Sequence, residues 1–142
     1  MGMSRHERLP LDVRAILGPS FPDLDLSRIV LRRGIPFHVR TFAAVTPVAY
    51  TSGRFIHFDA AFLDPWSPDA LPLLAHEVTH VQQFQKTRFF RVRYLTEYLR
   101  LRRKGLGPVD AYARISFEIE ARRIEESVRQ QVASFPASRV SG

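Results

Sequence analysis

The sequence contains no cysteine among its 142 residues. This absence excludes disulfide bonds, thiolate metal sites and cysteine nucleophiles together. A run of eighteen or more apolar residues is also missing, so no segment is predicted to span a membrane. The first fourteen residues are polar and charged and lack the apolar core of a secretory signal, which makes a cytoplasmic location the expectation, with signal-independent export left open.

Acidic residues are scarce, because 14 Asp and Glu oppose 21 Lys and Arg and leave a net charge of +7. Much of the excess lies between Lys86 and Lys104, where eight basic residues face one acid, Glu97. Such a segment could bind phosphates, an acidic protein or an anionic membrane surface, or it could form a solvated helix face. The charge pattern leaves these four alternatives open.

The N-terminal half has the apolar patterns of one short helix and several short strands. Helical spacing covers 9–17, and strand-like segments at 25–34, 36–40 and 54–58 are separated by a loop at 41–50 and a turn at 51–53. The C-terminal half predicts three helices instead. They run from Ser67 or Asp69 through Phe84, from about Phe89 to Lys104, and from about Val109 to Ala133.

These patterns predict an α+β fold, with a small N-terminal antiparallel or mixed sheet followed by helices. The length suits one domain over residues 1–142, with its core at about 9–133 and a flexible tail at 134–142.

The second half begins with the segment that carries chemistry, His76-Glu77-Val78-Thr79-His80. On a helix, residues four apart lie on one face, so His76 and His80 can present two imidazole nitrogens to one zinc ion. Glu77 emerges about a hundred degrees around the helix, beside the metal, where a general base can take a proton from water. A single helical turn thus predicts two zinc ligands and a base.

A catalytic zinc site normally has a third protein ligand. A metzincin would have Gly at position 83 and His at position 86, which Gln83 and Lys86 exclude. His6, His38 and His57 lie in a disordered end and in predicted strands, and are read as ordinary polar residues. The remaining source is a carboxylate of the last helix. Glu118 and Glu120 both lie there, about two hundred degrees apart, and their flanking residues do not decide between them.

Two stretches now resemble known proteins. Glu118-Ile119-Glu120-Ala121 resembles the Glu-x-x-Ala element that supplies the third ligand in gluzincin peptidases. The string from Leu74 to Gln85 resembles a bacterial family, the metallopeptidase-like domain associated with extracellular contractile injection systems (the eCIS core domain family). The resemblance extends over about 22–130 and includes 25–28, 51–58 and Ala111-Tyr112.

The resemblance implies a zincin-like fold, bound Zn²⁺ and proteolysis of a protein or peptide substrate, with a partner in a secretion or toxin system. It makes His76, His80 and Glu118 the zinc ligands and Glu77 the base. One position departs from the pattern: related chains commonly have Asp after the Ala, where it orients a metal-binding histidine, and this chain has Arg122.

Peptide hydrolysis also needs a hydrogen-bond donor for the developing oxyanion. Tyr112 is the first candidate, because it is predicted to share a helix with Glu118; Tyr50, His57 and Tyr94 are weaker ones. The strand Phe55–Phe58 is a candidate edge for pairing with an extended substrate, or an edge with no substrate role.

Two other functions compete with a peptidase. A non-catalytic interaction domain could use zinc for stability alone. A DNA-associated protease of the SprT-like kind would explain the basic segment, although the chain has no cysteine zinc module and no base-reading motif. Nucleic acid is therefore not the favoured partner, and the oligomeric state is left open.

Overall fold

The computed structural model describes residues 6–35, 49–59 and 64–135. Four short strands in this part form one sheet in the order β1-β2-β4-β3. They are β1 (His6–Arg8), β2 (Val30–Arg33), β3 (Ala49–Ser52) and β4 (Phe55–Phe58). The sheet is mixed, because β2 and β4 are parallel while β1 pairs with β2, and β3 with β4, in antiparallel fashion.

Strands β3 and β4 form a hairpin closed by Gly53 and Arg54. Gly53 has a φ of 61°, a left-handed conformation that glycine adopts without strain. In the parallel pair, Leu31 lies opposite Ile56, and both are fully buried. This pair directs an apolar face of the sheet into the core.

Five α-helices complete the described part. They are α1 (Leu11–Leu17), α2 (Leu71–Lys86), α3 (Phe90–Arg103), α4 (Pro108–Ala113) and α5 (Ser116–Ala133). No helix of the described residues is long and apolar enough to cross a membrane. Helix α2 follows a short 3-10 turn, Pro68–Ala70, and Pro72 lies in its first turn, where a missing N–H costs no hydrogen bond.

Helix α2 is the centre of the molecule. It packs along α5 and also contacts β3 and β4, and eleven of its sixteen residues are buried. Its apolar side, with Leu74, Val78 and Val81, belongs to one cluster with the sheet and α1. Burying this stripe fixes the rotation of α2, and therefore the direction of the polar residues on its other faces.

The α+β fold with a small mixed N-terminal sheet is confirmed. The expectation that His6 lies in a disordered end is wrong, because His6 belongs to β1, which pairs with β2, and the neighbouring Glu7 binds Arg33 at 2.7 Å. Tyr50, Thr51 and Ser52, expected in a loop and a turn, belong to β3. These strands depend on pairing with distant residues, which local patterns do not report. The predicted strand at 36–40 lies outside the described residues.

The predicted last helix is two helices, α4 and α5, so that three helices rather than two follow α2. The chain leaves helical geometry at Arg114 and Ile115. Glu97 of α3 stabilises the new start, since its carboxylate accepts hydrogen bonds from the backbone N–H of Ser116 at 2.7 Å and from its hydroxyl at 2.8 Å. A cap from another helix leaves no local sequence signal.

Candidate metal centre

Helix α2 places His76, Glu77 and His80 in the interior, each less than a tenth exposed. The two imidazole rings stand one turn apart, with centroids separated by 4.9 Å and planes inclined at 73°. Burial of three ionisable side chains on one turn is costly unless each has a partner. The partners come from α5 and β3, which pack against this side of the helix.

Glu118 of α5 contacts both histidines. Its Oε2 lies 3.0 Å from His76 Nε2 and its Oε1 lies 3.0 Å from His80 Nε2. Glu118 is itself 2% exposed. The three residues each offer one ligand atom, and these atoms all lie within 4.8 Å of one another. Two imidazole nitrogens and a carboxylate oxygen at this spacing could hold a metal ion.

The other nitrogen of each imidazole has its own acceptor. His76 Nδ1 lies 2.7 Å from Glu125 Oε1, and His80 Nδ1 lies 2.8 Å from Gln83 Oε1. An acceptor at Nδ1 keeps a proton on that nitrogen, so Nε2 is the nitrogen that can exchange its proton for a metal ion. Both Nε2 atoms are the ones that face Glu118. The donor set therefore fits a metal ion in tautomer as well as in spacing.

The electrostatics of the group are those of tightly coupled ion pairs. Burial disfavours a charged His76, but hydrogen bonds with Glu118 and Glu125 outweigh it and raise the pKa of His76 to about 10. The pKa of His80 is raised as well, because Glu118 again outweighs burial. Burial opposes the ionised form of Glu118, yet the two histidines hold its pKa well below the usual range. The group thus keeps a carboxylate facing two basic imidazoles, and a bound cation would take the place of their protons.

Glu77 lies beside this group and contacts the sheet. The Thr51 hydroxyl of β3 lies 2.5 Å from Glu77 Oε2 and 3.2 Å from the Glu77 carbonyl oxygen. Burial raises the pKa of Glu77, while the neighbouring histidines and Thr51 oppose that rise. The carboxylate is beside the candidate ligands and is not one of them, as the spacing predicts.

Two tyrosine side chains, Tyr94 and Tyr112, lie near the Glu118 carboxylate. Tyr94 of α3 donates to Glu118 Oε1 at 2.9 Å. Burial and the negative charge of Glu118 raise the pKa of Tyr94 and of Tyr112, so both hydroxyls stay protonated donors at neutral pH. Tyr112 lies on α4 rather than on the helix of Glu118, and 47% of its surface is exposed.

The remaining sequence candidates lie elsewhere. Glu120 is exposed and accepts a hydrogen bond from Gln83 Nε2 at 3.1 Å, so it supports His80 through Gln83. His57 lies in β4 near Tyr50, with ring centroids 5.9 Å apart, and His6 lies in β1. Neither histidine belongs to the metal-binding group found among the described residues. His38 lies outside the described residues.

The expectation that Phe55–Phe58 forms an edge strand is wrong. This strand, β4, lies between β2 and β3. In the described part of the sheet the edge on that side is β3, which also carries Thr51. Because β3 was not recognised as a strand in the sequence, the pattern gave no neighbour to place outside β4.

Sequence reasoning did not find Glu125, Gln83 or Thr51. Arg122 takes no part at the position where related chains have Asp; its guanidinium donates to the carbonyl oxygen of Ala113. Glu125 contacts His76 instead. One signal could have found it, because Glu125 follows Glu118 by seven residues, two helical turns, and so lies on the same face of α5.

Fold and site together define an α+β protein with a buried His-His-Glu group that could hold a metal ion. The eCIS core domain model matches residues 8–88, more than half of the chain, and the chain therefore belongs to the eCIS core domain family. The match includes all of α2 and ends before α3, so the position of Glu118 rests on geometry. No curated protein and no solved structure matches the chain.

Proposed function

We propose that this chain is a zinc-dependent peptidase of the gluzincin type, with a zincin-like active site. His76, His80 and Glu118 are the zinc ligands, and Glu77 is the general base. Zinc bound by this set would polarise the carbonyl of a peptide bond and acidify a water molecule. Membership of the eCIS core domain family supports a protein or peptide substrate and a partner in a contractile injection system.

The chain's own residues supply the proton transfers. The Glu77 carboxylate accepts a proton from the attacking water and later delivers it to the leaving amine. The contact with Thr51 holds that carboxylate in one orientation. The protonated hydroxyls of Tyr94 and Tyr112 are donors for the oxyanion that develops on the substrate carbonyl. Because β3 carries Thr51 and lies at the described edge of the sheet, it is the strand along which an extended substrate would lie.

One observation carries the proposal: both Nε2 atoms converge on Glu118 while both Nδ1 atoms have separate acceptors. A purely structural ion pair needs one acceptor for each ring, whereas here each Nδ1 has its own acceptor and both Nε2 atoms are left facing one shared carboxylate, where a metal ion would lie. Carboxylate and amide acceptors behind histidine ligands are a recurring feature of zinc sites.

The test separates catalysis from zinc binding. Glu77→Gln should abolish hydrolysis of an unfolded protein substrate and leave zinc content near one per chain, because the amide keeps the shape of the carboxylate but cannot take a proton. His80→Ala should lose both. Zinc is measured by elemental analysis after dialysis and cleavage by gel electrophoresis. A wild-type chain that binds zinc and cleaves none of a broad substrate panel would favour the non-catalytic interaction domain, and a folded chain without zinc affinity would refute the proposal.

A further inference from the structure

Helix α3 presents apolar side chains to solvent. Val92, Leu95 and Leu99 are 62%, 55% and 50% exposed. Spacings of three and four residues place them along one line of the helix. Phe89, immediately before the helix, is also 66% exposed. Single exposed apolar residues are ordinary on a surface, but a line of three with a fourth at the start of the helix needs an occupant.

Phe89 is held in place at a conformational cost. Its φ is 57°, and among the described residues it is the one non-glycine with a positive φ. Left-handed backbone is unfavourable for a bulky L-residue and persists only when its surroundings impose it. The consequence of this backbone is that the aromatic ring projects into solvent beside the guanidinium of Arg88, whose central carbon lies 5.0 Å from the ring centroid.

Basic residues flank the apolar line. Arg93 and Arg100 each follow an apolar residue by one position and so lie about a hundred degrees to one side of the line. In the described part of the chain they have no carboxylate partner, and neither do Arg103 and Lys104. The single acid of this helix, Glu97, is engaged in capping α5. The positive charge of the surface is therefore uncompensated.

We propose that this surface, the α3 stripe (Phe89, Val92, Leu95, Leu99, Arg93 and Arg100), docks on an anionic lipid membrane. Basic side chains bind the headgroup phosphates, while aliphatic and aromatic side chains insert into the boundary between the headgroups and the acyl chains. An apolar line with cations beside it on one exposed helix suits this layered environment. The proposal is independent of peptidase activity.

Other occupants fit the stripe less well. A phosphate backbone would use the arginines but offers no contact for Val92, Leu95 and Leu99. A second copy of the chain carries the same net charge of +7 and would be repelled. Of these three occupants, the membrane is the one that complements both components of the stripe.

Docking would bring the candidate metal centre near the bilayer. The inward face of the same helix contacts that centre, since Phe90 lies against His80, with ring centroids 6.5 Å apart, and Tyr94 donates to Glu118. A helix that faces lipid on one side and the centre on the other would direct the protein toward substrates at a membrane surface.

The experiment is sedimentation of the full chain with vesicles of phosphatidylcholine alone and with vesicles that also contain phosphatidylglycerol. We expect binding only to the second kind, weakened by salt. Arg93→Gln with Arg100→Gln should lower the partition coefficient by about twentyfold to thirtyfold, because each cation near an anionic leaflet contributes roughly fivefold. Leu95→Gln with Leu99→Gln should lower it by about tenfold or more.

Matched controls change apolar and basic side chains of the same kinds on other surfaces of the protein. Leu11→Gln with Val109→Gln changes two exposed apolar residues of α1 and α4, and Arg114→Gln with Arg123→Gln removes two exposed cations. Controls that bind the phosphatidylglycerol vesicles within about threefold of the wild type would support a local surface.

Four outcomes would overturn the proposal. The chain could fail to sediment with anionic vesicles at low salt. The control pairs could reduce binding as much as the stripe variants do. Duplex DNA could bind at a salt concentration at which vesicles do not, with an affinity that the leucine substitutions leave unchanged, which would make the stripe a nucleic-acid surface. Light scattering at several protein concentrations would reveal a second copy as the occupant instead.

Discussion

Helices α2 and α3 touch through Phe84 and Phe90, whose ring centroids lie 4.4 Å apart. Each helix departs from the usual distribution of side chains, and the two depart in opposite ways. Helix α2 buries five polar residues, namely His76, Glu77, Thr79, His80 and Gln83. Helix α3 exposes Val92, Leu95 and Leu99, and Phe90 is the one residue that it buries. The hydrophobic effect explains neither buried polar side chains nor exposed apolar patches, so each calls for a functional reason.

The two helices differ in whether their unusual side chains have partners within the protein. Every buried polar side chain of α2 has a partner within the molecule: Glu118, Glu125, Gln83 and Thr51 serve the ionisable residues, and the Ala75 carbonyl oxygen accepts from the Thr79 hydroxyl at 2.8 Å. On α3, neither the apolar line nor the flanking cations have one in the described residues. We infer that the polar residues of α2 form an internal site, whereas the exposed residues of α3 bind a partner outside the chain.

The largest effect on zinc binding should come from removing the Glu118 carboxylate, which both histidines of α2 face. Glu118→Ala should weaken zinc binding by well over about a hundredfold, since loss of a ligand exceeds the roughly 10–100-fold cost of losing an outer partner. Glu120→Ala is the control, because Glu120 reaches the centre only through Gln83 and should cost about tenfold at most. Zinc affinity is measured by competition with a chromogenic chelator. A larger loss for Glu120→Ala would show that the ligand was assigned two residues too early.

Loss of Glu125 should have the next largest effect on zinc binding. Glu125→Ala removes the acceptor at His76 Nδ1, frees the ring to rotate or change tautomer, and should weaken zinc binding by about 10–100-fold. Glu126→Ala is a close control, because Glu125 and Glu126 both pair with Arg129 and only Glu125 contacts His76. Chelator competition separates them.

Rescue by a shorter carboxylate would sharpen this result. Arg122→Asp in the Glu125→Ala background restores the residue that related chains commonly carry after the Ala. Recovery of much of the lost affinity is the expected result, and it would show that the orienting carboxylate has moved along α5 in this chain. If Glu125→Ala and Glu126→Ala weaken zinc binding equally, the contact with His76 has no role in metal binding.

Local pattern was enough to predict that His76 and His80 lie close together, because four-residue spacing on a helix fixes which side chains share a face. It was also enough for the α+β class and for most of α2 and α3. Glu118 needed more, since flanking residues alone did not separate it from Glu120. The family resemblance favoured Glu118, and Glu118 is the carboxylate that lies between the two histidines.

What the sequence did not predict depends on pairings between distant residues. The contact of His76 with Glu125 joins residues 49 apart, and that of Thr51 with Glu77 joins residues 26 apart. The break between α4 and α5 is stabilised by Glu97, nineteen residues before Ser116. Periodicity reports how one element is oriented and not which partner will lie against it, so outer partners of the site and the order of strands stayed out of reach.

The smallest effect should be on the stability of α3 itself. Leu95→Gln with Leu99→Gln should change the free energy of unfolding by no more than about 0.5 kcal/mol per residue, because both side chains are already half exposed and lose little burial. Leu74→Ala on α2, where the side chain is fully buried, should cost about 2–5 kcal/mol. Urea denaturation followed by circular dichroism measures both. The near-zero value would mean that the leucines are not retained for folding, which is the condition for assigning them to an external partner. A loss of about 2 kcal/mol or more at the α3 pair, a size typical of buried side chains, would instead place these leucines against part of the chain itself and remove the contrast between the two helices.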